Sequence, residues 1–327
     1  MLAEMTEMSG PLHRLPTINC LSCGMELISA EFEPRSNGGA PNASGYDSCL
    51  RRCERCGIGY SNALRAQATR LVRIYRDPFW NLPAFVAEGH DRVLAHALNV
   101  VNRTSKKRKF GSINSEDHLT WTVFRALQLW GELDIIRNLA QLPANNDISP
   151  RLLLWGCDPN AVCIDSCDLR TYLVGLLDQL GEDISSRSEP DVIIDYGQDG
   201  VVFIEVKLRS GNDFRGPAHA GWARYNQSDH CFTDGSDAVN ACRSYELVRN
   251  WRILDEYAGD RPGVLINLAN DHVGLERFQD IINCHHHRQF IKCTWHDLLS
   301  RITHRPQWLY NYLADRQVCD LELLENR

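Results

Sequence analysis

The sequence has 327 residues, of which 43% are apolar and 24% are charged, and its formal net charge is −7. This length and apolar content support a folded protein of one large or two smaller domains, and they disfavour a long disordered chain. No apolar run reaches the roughly 18 residues of a membrane-spanning helix, and residues 1–14 contain no apolar signal segment. We therefore expect a cytoplasmic protein with no membrane partner, in which any contact with nucleic acid depends on local basic patches.

The first predicted feature of the chain is a metal site built from cysteines. The chain has 13 cysteines, and in a reducing compartment they are metal ligands, buried thiols or nucleophiles rather than disulfides. Two CxxCG motifs begin at Cys20 and at Cys53. Each motif points two thiolates at one place, and four thiolates match the tetrahedral preference of Zn²⁺. We predict a structural zinc ion bound by Cys20, Cys23, Cys53 and Cys56, with Cys49 as a bystander.

These motifs make residues 1–62 similar to a zinc ribbon. Such modules contact nucleic acid or protein partners, and this one carries local positive charge. The nearby basic residues are Arg51, Arg52, Arg55 and Arg65. They either contact nucleic acid or form a solvated face, and the sequence leaves both interpretations open.

The following segment, residues 63–111, is predicted to be a helical connector with a basic loop. Apolar residues have helical spacing over residues 63–75 and 85–101. The basic residues of the loop are Arg103, Lys106, Lys107, Arg108 and Lys109. This run is either a nucleic-acid contact or a solvated loop. Ser115 then offers an N-cap for a helix that ends near residue 130.

Residues 112–327 are predicted to form a mixed α/β domain. Strands are expected at residues 151–155, 191–196, 201–208, 263–268 and 290–294, and helices at 169–180, 237–257 and 295–302. A turn at residues 197–200 joins the second and third of these strands. Cys157, Cys163 and Cys167 are expected to be buried thiols. Residues 284–287 are expected to form a polar loop, because three consecutive histidines of a regular element cannot converge on one ion.

The most informative segment is this predicted hairpin. Side chains alternate along a strand, so Glu205 and Lys207 share a face, and the turn brings Asp191 opposite the end of their strand. Charged groups in an apolar sheet are costly unless a metal or a partner compensates them. Two carboxylates with a neighbouring lysine suit Mg²⁺-assisted phosphodiester hydrolysis. The alternative is an edge hairpin whose charges face solvent; Asp195, near the turn, is expected to be solvated.

The residues Pro190-Asp191 and Glu205-Val206-Lys207 resemble the motif of the PD-(D/E)xK nuclease superfamily. The resemblance covers residues 112–302 and implies the restriction-endonuclease-like fold, a mixed sheet flanked by helices, with a core order of helix, three strands, helix and strand. It implies that Asp191, Glu205 and the Val206 carbonyl bind Mg²⁺ or Mn²⁺ and that Lys207 holds the attacking water. Family members often place another glutamate on the first core helix, and Glu116 matches that position.

The sequence therefore predicts a metal-dependent endonuclease that acts on DNA, similar to restriction and phage-defence enzymes. Two other functions stay open. One is cleavage of RNA. The other is a nucleic-acid or protein binding and assembly factor, in which the nuclease-like domain is catalytically silent; whichever function holds, a second copy of the chain and a partner protein also stay open as partners.

Overall fold

The computed structural model describes residues 12–65, 67–87, 91–99, 103–144, 148–161, 167–183, 189–209, 220–226, 230–284 and 287–319. The chain divides into two compact units. The first comprises Met1–Leu82 and Ser105–His118, and the second comprises Pro83–Thr104 and Leu119–Arg327. Within the described ranges no helix is both long enough and apolar enough to cross a bilayer. Cys163, His285 and His286 lie outside the described residues.

The first unit is built mainly from short antiparallel strands. They are β1 (His13–Arg14), β2 (Ile18–Asn19), β3 (Glu26–Leu27), β4 (Glu31–Phe32), β5 (Arg51–Cys53), β6 (Ile58–Tyr60) and β7 (Arg73–Tyr75). Strand β1 pairs with β4 and β2 with β3, while β5, β6 and β7 form a three-stranded sheet. Each CxxCG motif lies at a turn, the first between β2 and β3 and the second between β5 and β6.

The prediction of a helix over residues 63–75 is wrong. The segment contains a 3₁₀ turn at Ala68–Arg70 and then β7, in which Tyr75 pairs with Ile58 of β6. Only the central residue of β7, Ile74, is buried. Because pairing with β6 satisfies the backbone and buries Ile74, tertiary contacts outweigh the helical spacing of the sequence.

The described helices begin with α1 (Ala84–Ala87), α2 (Asp91–Leu98), α3 (Thr104–Phe110) and α4 (Glu116–Trp130). Helix α3 contains the basic run, so the prediction of a loop there is wrong. The predicted start of α4 is confirmed, because the Ser115 hydroxyl accepts a hydrogen bond from the His118 amide at 3.2 Å. The later helices are α5 (Asp134–Leu139), α6 (Asp168–Gln179), α7 (Ser236–Ala241), α8 (Tyr245–Ala258), α9 (Glu276–Ile281), α10 (Trp295–Leu299) and α11 (Gln307–Arg316).

The second unit contains one mixed five-stranded sheet. Its strands are β8 (Arg151–Leu154), β9 (Val192–Asp195), β10 (Val201–Val206), β11 (Gly263–Ala269) and β12 (Arg288–Thr294). The order across the sheet is β12-β11-β10-β9-β8. Strands β8, β9 and β10 are antiparallel neighbours, whereas β10, β11 and β12 run parallel. This mixed α/β architecture and the β9–β10 hairpin confirm the sequence-based expectations for the sheet.

Helix α8 packs on the face of the sheet that carries the odd-numbered residues of β10. Phe203 meets the ring of Tyr257 edge to face at 5.5 Å, and Trp251 is 1% exposed. Trp251 is therefore a core residue. The expected single helix over residues 237–257 is instead two helices, because Arg243 has a φ of 62° and ends α7 before α8 begins.

Candidate functional site

The four-cysteine cluster of the first unit consists of Cys20, Cys23, Cys53 and Cys56. Their sulfur atoms all lie within 4.8 Å of one another, and the Cys23 and Cys53 sulfurs are 3.6 Å apart. Zn–S bonds of about 2.3 Å in a tetrahedron place sulfurs roughly 3.8 Å apart. The observed spacing and the all-sulfur donor set therefore fit a structural Zn²⁺ ion, as the two motifs predict.

Glycines make both turns of this cluster possible. Gly24 and Gly57 adopt positive φ values of 72° and 63°, and their amides donate to the Cys20 and Cys53 carbonyls at 2.8 Å. The Cys56 amide in turn points at the Cys53 sulfur, 3.4 Å away. Each CxxCG segment is thus a closed turn that directs two sulfurs inward.

Two thiols of the cluster differ in acidity. Burial raises the pKa of Cys53 to about 12. Burial acts in the same direction on Cys20, but hydrogen bonds from the Ser22 backbone and the Tyr60 hydroxyl outweigh it and lower the pKa of that thiol to about 7. A bound cation would favour the thiolate form of all four sulfurs.

Two neighbours of the cluster have structural roles. Arg51 is fully buried, and its guanidinium donates to the carbonyls of Pro16, Ser61, Ala63 and Arg65. The prediction that Arg51 adds surface charge is therefore wrong, whereas Arg52, Arg55 and Arg65 are exposed. Cys49 lies outside the cluster, and its thiol hydrogen bonds to the Gly45 carbonyl.

The carboxylate–lysine site of the second unit lies at the end of β10. The Val206 amide donates to Asp191 Oδ2 at 3.0 Å, so Asp191 lies beside the end of the strand, as predicted. Glu205 is 4% exposed and Lys207 8%, and the Lys207 Nζ donates to Glu205 Oε1 at 2.7 Å. The predicted triad of Asp191, Glu205 and Lys207 is therefore brought together, with Glu205 and Lys207 buried and Asp191 partly exposed.

Helix α8 adds residues to this site that the motif did not reveal. The Lys207 Nζ also donates to Glu246 Oε2 at 2.7 Å, and the Asn250 Nδ2 donates to Glu205 Oε2 at 2.7 Å. Asn250 is fully buried, and its Oδ1 accepts two hydrogen bonds from Arg249, at 3.2 and 3.1 Å. Glu246 and Asn250 are four residues apart and so face the same side of α8. The spacing of this polar pair, beside the apolar residues of the same helix, was the signal available in the sequence.

Burial and neighbouring charges act in opposite directions on the two central groups of the site. Burial raises the pKa of Glu205, and the Lys207 ammonium opposes that shift. Burial would lower the pKa of Lys207, but Glu205, Glu246 and Asp191 together raise it well above its usual value. Lys207 is therefore a cation at neutral pH, surrounded by three carboxylates. Carboxylate oxygens are the donor type that Mg²⁺ or Mn²⁺ takes.

Two other acidic residues, one before strand β9 and one at its end, are held in ion pairs. Asp195 is buried, and its carboxylate accepts from the Arg261 guanidinium at 3.0 and 3.2 Å, so the prediction that Asp195 is solvated is wrong. Glu189 pairs with Arg103 at 3.0 Å, and both side chains are buried. Arg103 also donates to the Ala97 carbonyl at 2.8 Å. Its expected role in a basic surface run is therefore wrong, because its charge is used inside the second unit.

The remaining predicted residues lie in the first unit. Glu116 opens α4 and is partly buried, whereas Asp191, Glu205 and Lys207 belong to the second unit. Its role as a site member stays a prediction. In the basic run, Lys106 forms an ion pair with Asp117, and Lys107, Arg108 and Lys109 are exposed. A contact between this run and nucleic acid also stays a prediction.

The remaining predicted thiols differ in exposure. Cys157 and Cys167 are buried, as expected, while Cys284 is exposed.

Comparisons of the chain with protein-family models, with curated proteins and with solved structures find no match.

Proposed function

We propose that the protein is a metal-dependent nuclease that hydrolyses phosphodiester bonds of DNA at the carboxylate–lysine site. The observation that carries the proposal is the meeting of Asp191, Glu205 and Lys207 at the end of β10, where Glu205 and Lys207 form a buried ion pair. Buried charge of this kind is costly in a purely structural role, since a well-packed apolar group of the same volume is often more stable. A catalytic role therefore explains this arrangement of side chains better than a contribution to the folding stability does.

The order of elements also supports the proposal. Helix α4 is followed by the antiparallel strands β8, β9 and β10, then by α8 and the parallel strand β11. This is the core order that the resemblance to the PD-(D/E)xK superfamily implies, with α5, α6 and α7 as additions between its elements. This agreement in element order concerns architecture alone, and a shared architecture does not specify an activity. The support for the activity comes from the residues of the site.

The site residues would divide the work as follows. Asp191, Glu205 and the Val206 carbonyl would hold Mg²⁺ or Mn²⁺, which supplies polarisation of the scissile phosphate and a lowered pKa of bound water. Lys207 donates hydrogen bonds as a permanent cation, so it holds the attacking water and stabilises charge on phosphate oxygens rather than accepting a proton. Asn250 donates to Glu205 Oε2 and keeps that carboxylate oriented.

The test is cleavage of plasmid DNA, linear DNA and RNA with and without Mg²⁺ or Mn²⁺. Asp191→Asn and Glu205→Gln preserve side-chain volume and replace a negatively charged carboxylate by a neutral amide. Each should therefore lower cleavage at least about a hundredfold. Glu276→Gln, at an exposed position at the start of α9, is the matched control and should retain activity. Normal cleavage by Asp191→Asn or Glu205→Gln would contradict the assignment, and cleavage of RNA alone would change the substrate class.

One observation favours a second candidate function, a zinc-module binding or assembly factor with a silent nuclease-like domain. Both oxygens of Glu205 already accept hydrogen bonds, from Lys207 and from Asn250. The group can therefore persist as a closed polar network. Binding of nucleic acid or of a protein partner without cleavage under any metal condition, and without a Mg²⁺ effect on stability, would favour this function.

A further inference from the structure

A second cluster of metal-binding side chains lies in the second unit, away from the residues assigned above. It consists of His230, Cys231 and Asp255, whose donor atoms all lie within 4.8 Å of one another. Asp255 Oδ2 is 2.9 Å from His230 Nε2 and 3.1 Å from Cys231 Sγ. One nitrogen, one sulfur and one oxygen donor therefore converge from two separate segments of the chain.

A positive charge already lies against these donors. The Arg252 Nη1 is 3.3 Å from Cys231 Sγ, 3.4 Å from His230 Nε2 and 4.0 Å from Asp255 Oδ2. One guanidinium nitrogen thus lies near all three donors. Arg252 also has another partner, because its Nη2 is 2.6 Å from Glu256 Oε1. The position between the donors therefore favours a cation, and Arg252 can leave it without losing all of its ion pairing.

The Asp255 carboxylate is held in the orientation that such a site requires. The Arg288 Nε donates to Asp255 Oδ1 at 2.8 Å, and the same guanidinium also donates to the Asp255 and Arg261 carbonyls. Oδ1 is thereby fixed toward β12, and Oδ2 is directed at His230 and Cys231. A carboxylate anchored through one oxygen and presenting the other is the usual arrangement of a supported metal ligand.

Backbone pairing anchors the segment that carries His230 and Cys231. Phe232 forms an antiparallel bridge with Ile282, and the Asn283 amide donates to the Cys231 carbonyl at 2.9 Å. The Asn283 side chain also donates to the His230 carbonyl at 3.0 Å. These bonds hold the two donors of this segment in place beside Asp255 of helix α8.

We propose that His230, Cys231 and Asp255 bind a thiophilic divalent cation of the Zn²⁺ class. Imidazole nitrogen, thiolate sulfur and carboxylate oxygen are the donors that Zn²⁺ takes in tetrahedral sites, with bonds of about 2.0 to 2.3 Å. Such bonds hold ligand atoms about 3.3 to 3.7 Å apart, so the present contacts of 2.9 and 3.1 Å need to widen by only a few tenths of an ångström. Binding displaces the Arg252 nitrogen, and the Cys231 thiol releases its proton to solvent as it becomes a thiolate ligand.

The bound ion would have a structural effect on the second unit. It would join the segment at His230 and Cys231 to helix α8 through Asp255. Helix α8 also carries Glu246 and Asn250, so the ion would stabilise the helix that supports the carboxylate–lysine site. The proposal does not depend on nuclease activity, because its measurement is metal binding.

The test is metal analysis of the full chain after removal of excess zinc, together with Co²⁺ titration followed by absorption. With the four-cysteine cluster filled, we expect a second Zn²⁺ per chain and a Co²⁺ spectrum that combines nitrogen and sulfur ligation. His230→Ala should lower the zinc content by one ion, and since the His230 side chain is 66% exposed, its removal leaves the core in place. His96→Ala, an exposed histidine of α2, is the matched control and should leave the content unchanged.

Arg252→Gln separates a metal site from a permanent ion-pair cluster. It keeps all donors and removes the competing charge, so zinc affinity at this site should rise roughly tenfold. One zinc per chain in the unaltered protein, unchanged by Cys231→Ser and by Arg252→Gln, would overturn the proposal. That result would assign the cluster to ion pairing by Arg252 and Arg288. Retention of the second ion by His230→Ala would exclude His230 as a ligand and equally overturn the site as proposed.

Discussion

The four-cysteine cluster and the carboxylate–lysine site both bring ionisable side chains together, but they do so at different distances along the chain. In the cluster, each pair of sulfurs comes from a turn of four residues, closed by a glycine with positive φ. In the carboxylate–lysine site, Asp191 and Glu205 come from a hairpin, and Glu246 and Asn250 come from a helix about forty residues later. The four-cysteine cluster depends on local turn geometry, and the carboxylate–lysine site depends on the packing of helix α8 over strand β10.

This difference determines how each site responds to the loss of one member. A cysteine removed from the cluster takes away a bond to the ion, which would carry much of the stability of a small unit with short strands. A charge removed from the carboxylate–lysine site leaves a partner buried without compensation. The two sites can therefore be separated by variants that alter a single side chain.

The largest effect is expected when the four-cysteine cluster loses a ligand. Cys20→Ser or Cys53→Ser should release the zinc of the first unit and unfold that unit, since small zinc modules take their folding free energy from the metal, about 10 kcal/mol or more. Metal content and hydrogen exchange of residues 12–65 measure the change. Cys49→Ala is the matched control, because Cys49 is also buried but lies outside the cluster. Protection of β5 and β6 that survives in Cys20→Ser would contradict the local origin of this unit's stability.

A smaller effect is expected when Lys207 is replaced. Lys207→Met leaves Glu205 and Glu246 without the ammonium between them and should lower the free energy of unfolding by about 3 kcal/mol at neutral pH. Mg²⁺ should restore part of the lost stability, because a divalent cation can replace the missing charge. The matched control is Lys292→Met, on strand β12, where a partly exposed lysine should matter by less than about 1 kcal/mol.

The pH dependence of Lys207→Met has a definite sign. Burial raises the pKa of Glu205, and loss of the Lys207 charge raises it further. A carboxylate with a raised folded-state pKa costs stability above its unfolded value of about 4.3 and costs none below that value. The gap in unfolding free energy between Lys207→Met and the unaltered protein should therefore narrow as the pH falls from 7 toward 4. A gap that stays constant over this range, measured by denaturant titration, would show that Glu205 is not the uncompensated group.

The smallest effect is expected from the basic run of α3. Lys106 pairs with Asp117 and is partly buried, whereas Lys107, Arg108 and Lys109 are exposed and so are accessible to phosphates. Replacing these three with Ser should flatten the slope of log affinity for DNA against log salt by about 0.9 for each phosphate that is no longer neutralised. Lys106→Ser alone should change the slope much less. Arg277→Ser, on the exposed side of α9, is the control, and an unchanged slope in the triple variant would assign the run to solvent.

Local patterns in the sequence determined much of the fold and part of the site. Alternation and turn residues predicted the hairpin of β9 and β10, and the CxxCG spacing predicted the four-cysteine cluster. The helical spacing of apolar residues gave a wrong prediction at two places. Over residues 63–75, pairing of β7 with β6 outweighs the helical pattern. At Arg243, a left-handed backbone conformation interrupts the predicted helix. A strand pattern shows which residues share a face, but it contains no information about the partner of a segment.

The sequence by itself indicated which side chains meet at the two sites, namely the four cysteines in one and Asp191, Glu205 and Lys207 in the other. Only the tertiary structure decided which charges are used internally and which remain at the surface. Arg51, Arg103 and Asp195 were all expected at the surface, yet each is buried against carbonyls or an opposite charge. The physical reason is that a charge can be buried only where several partners from distant segments meet it, and those meetings exist only in the folded chain.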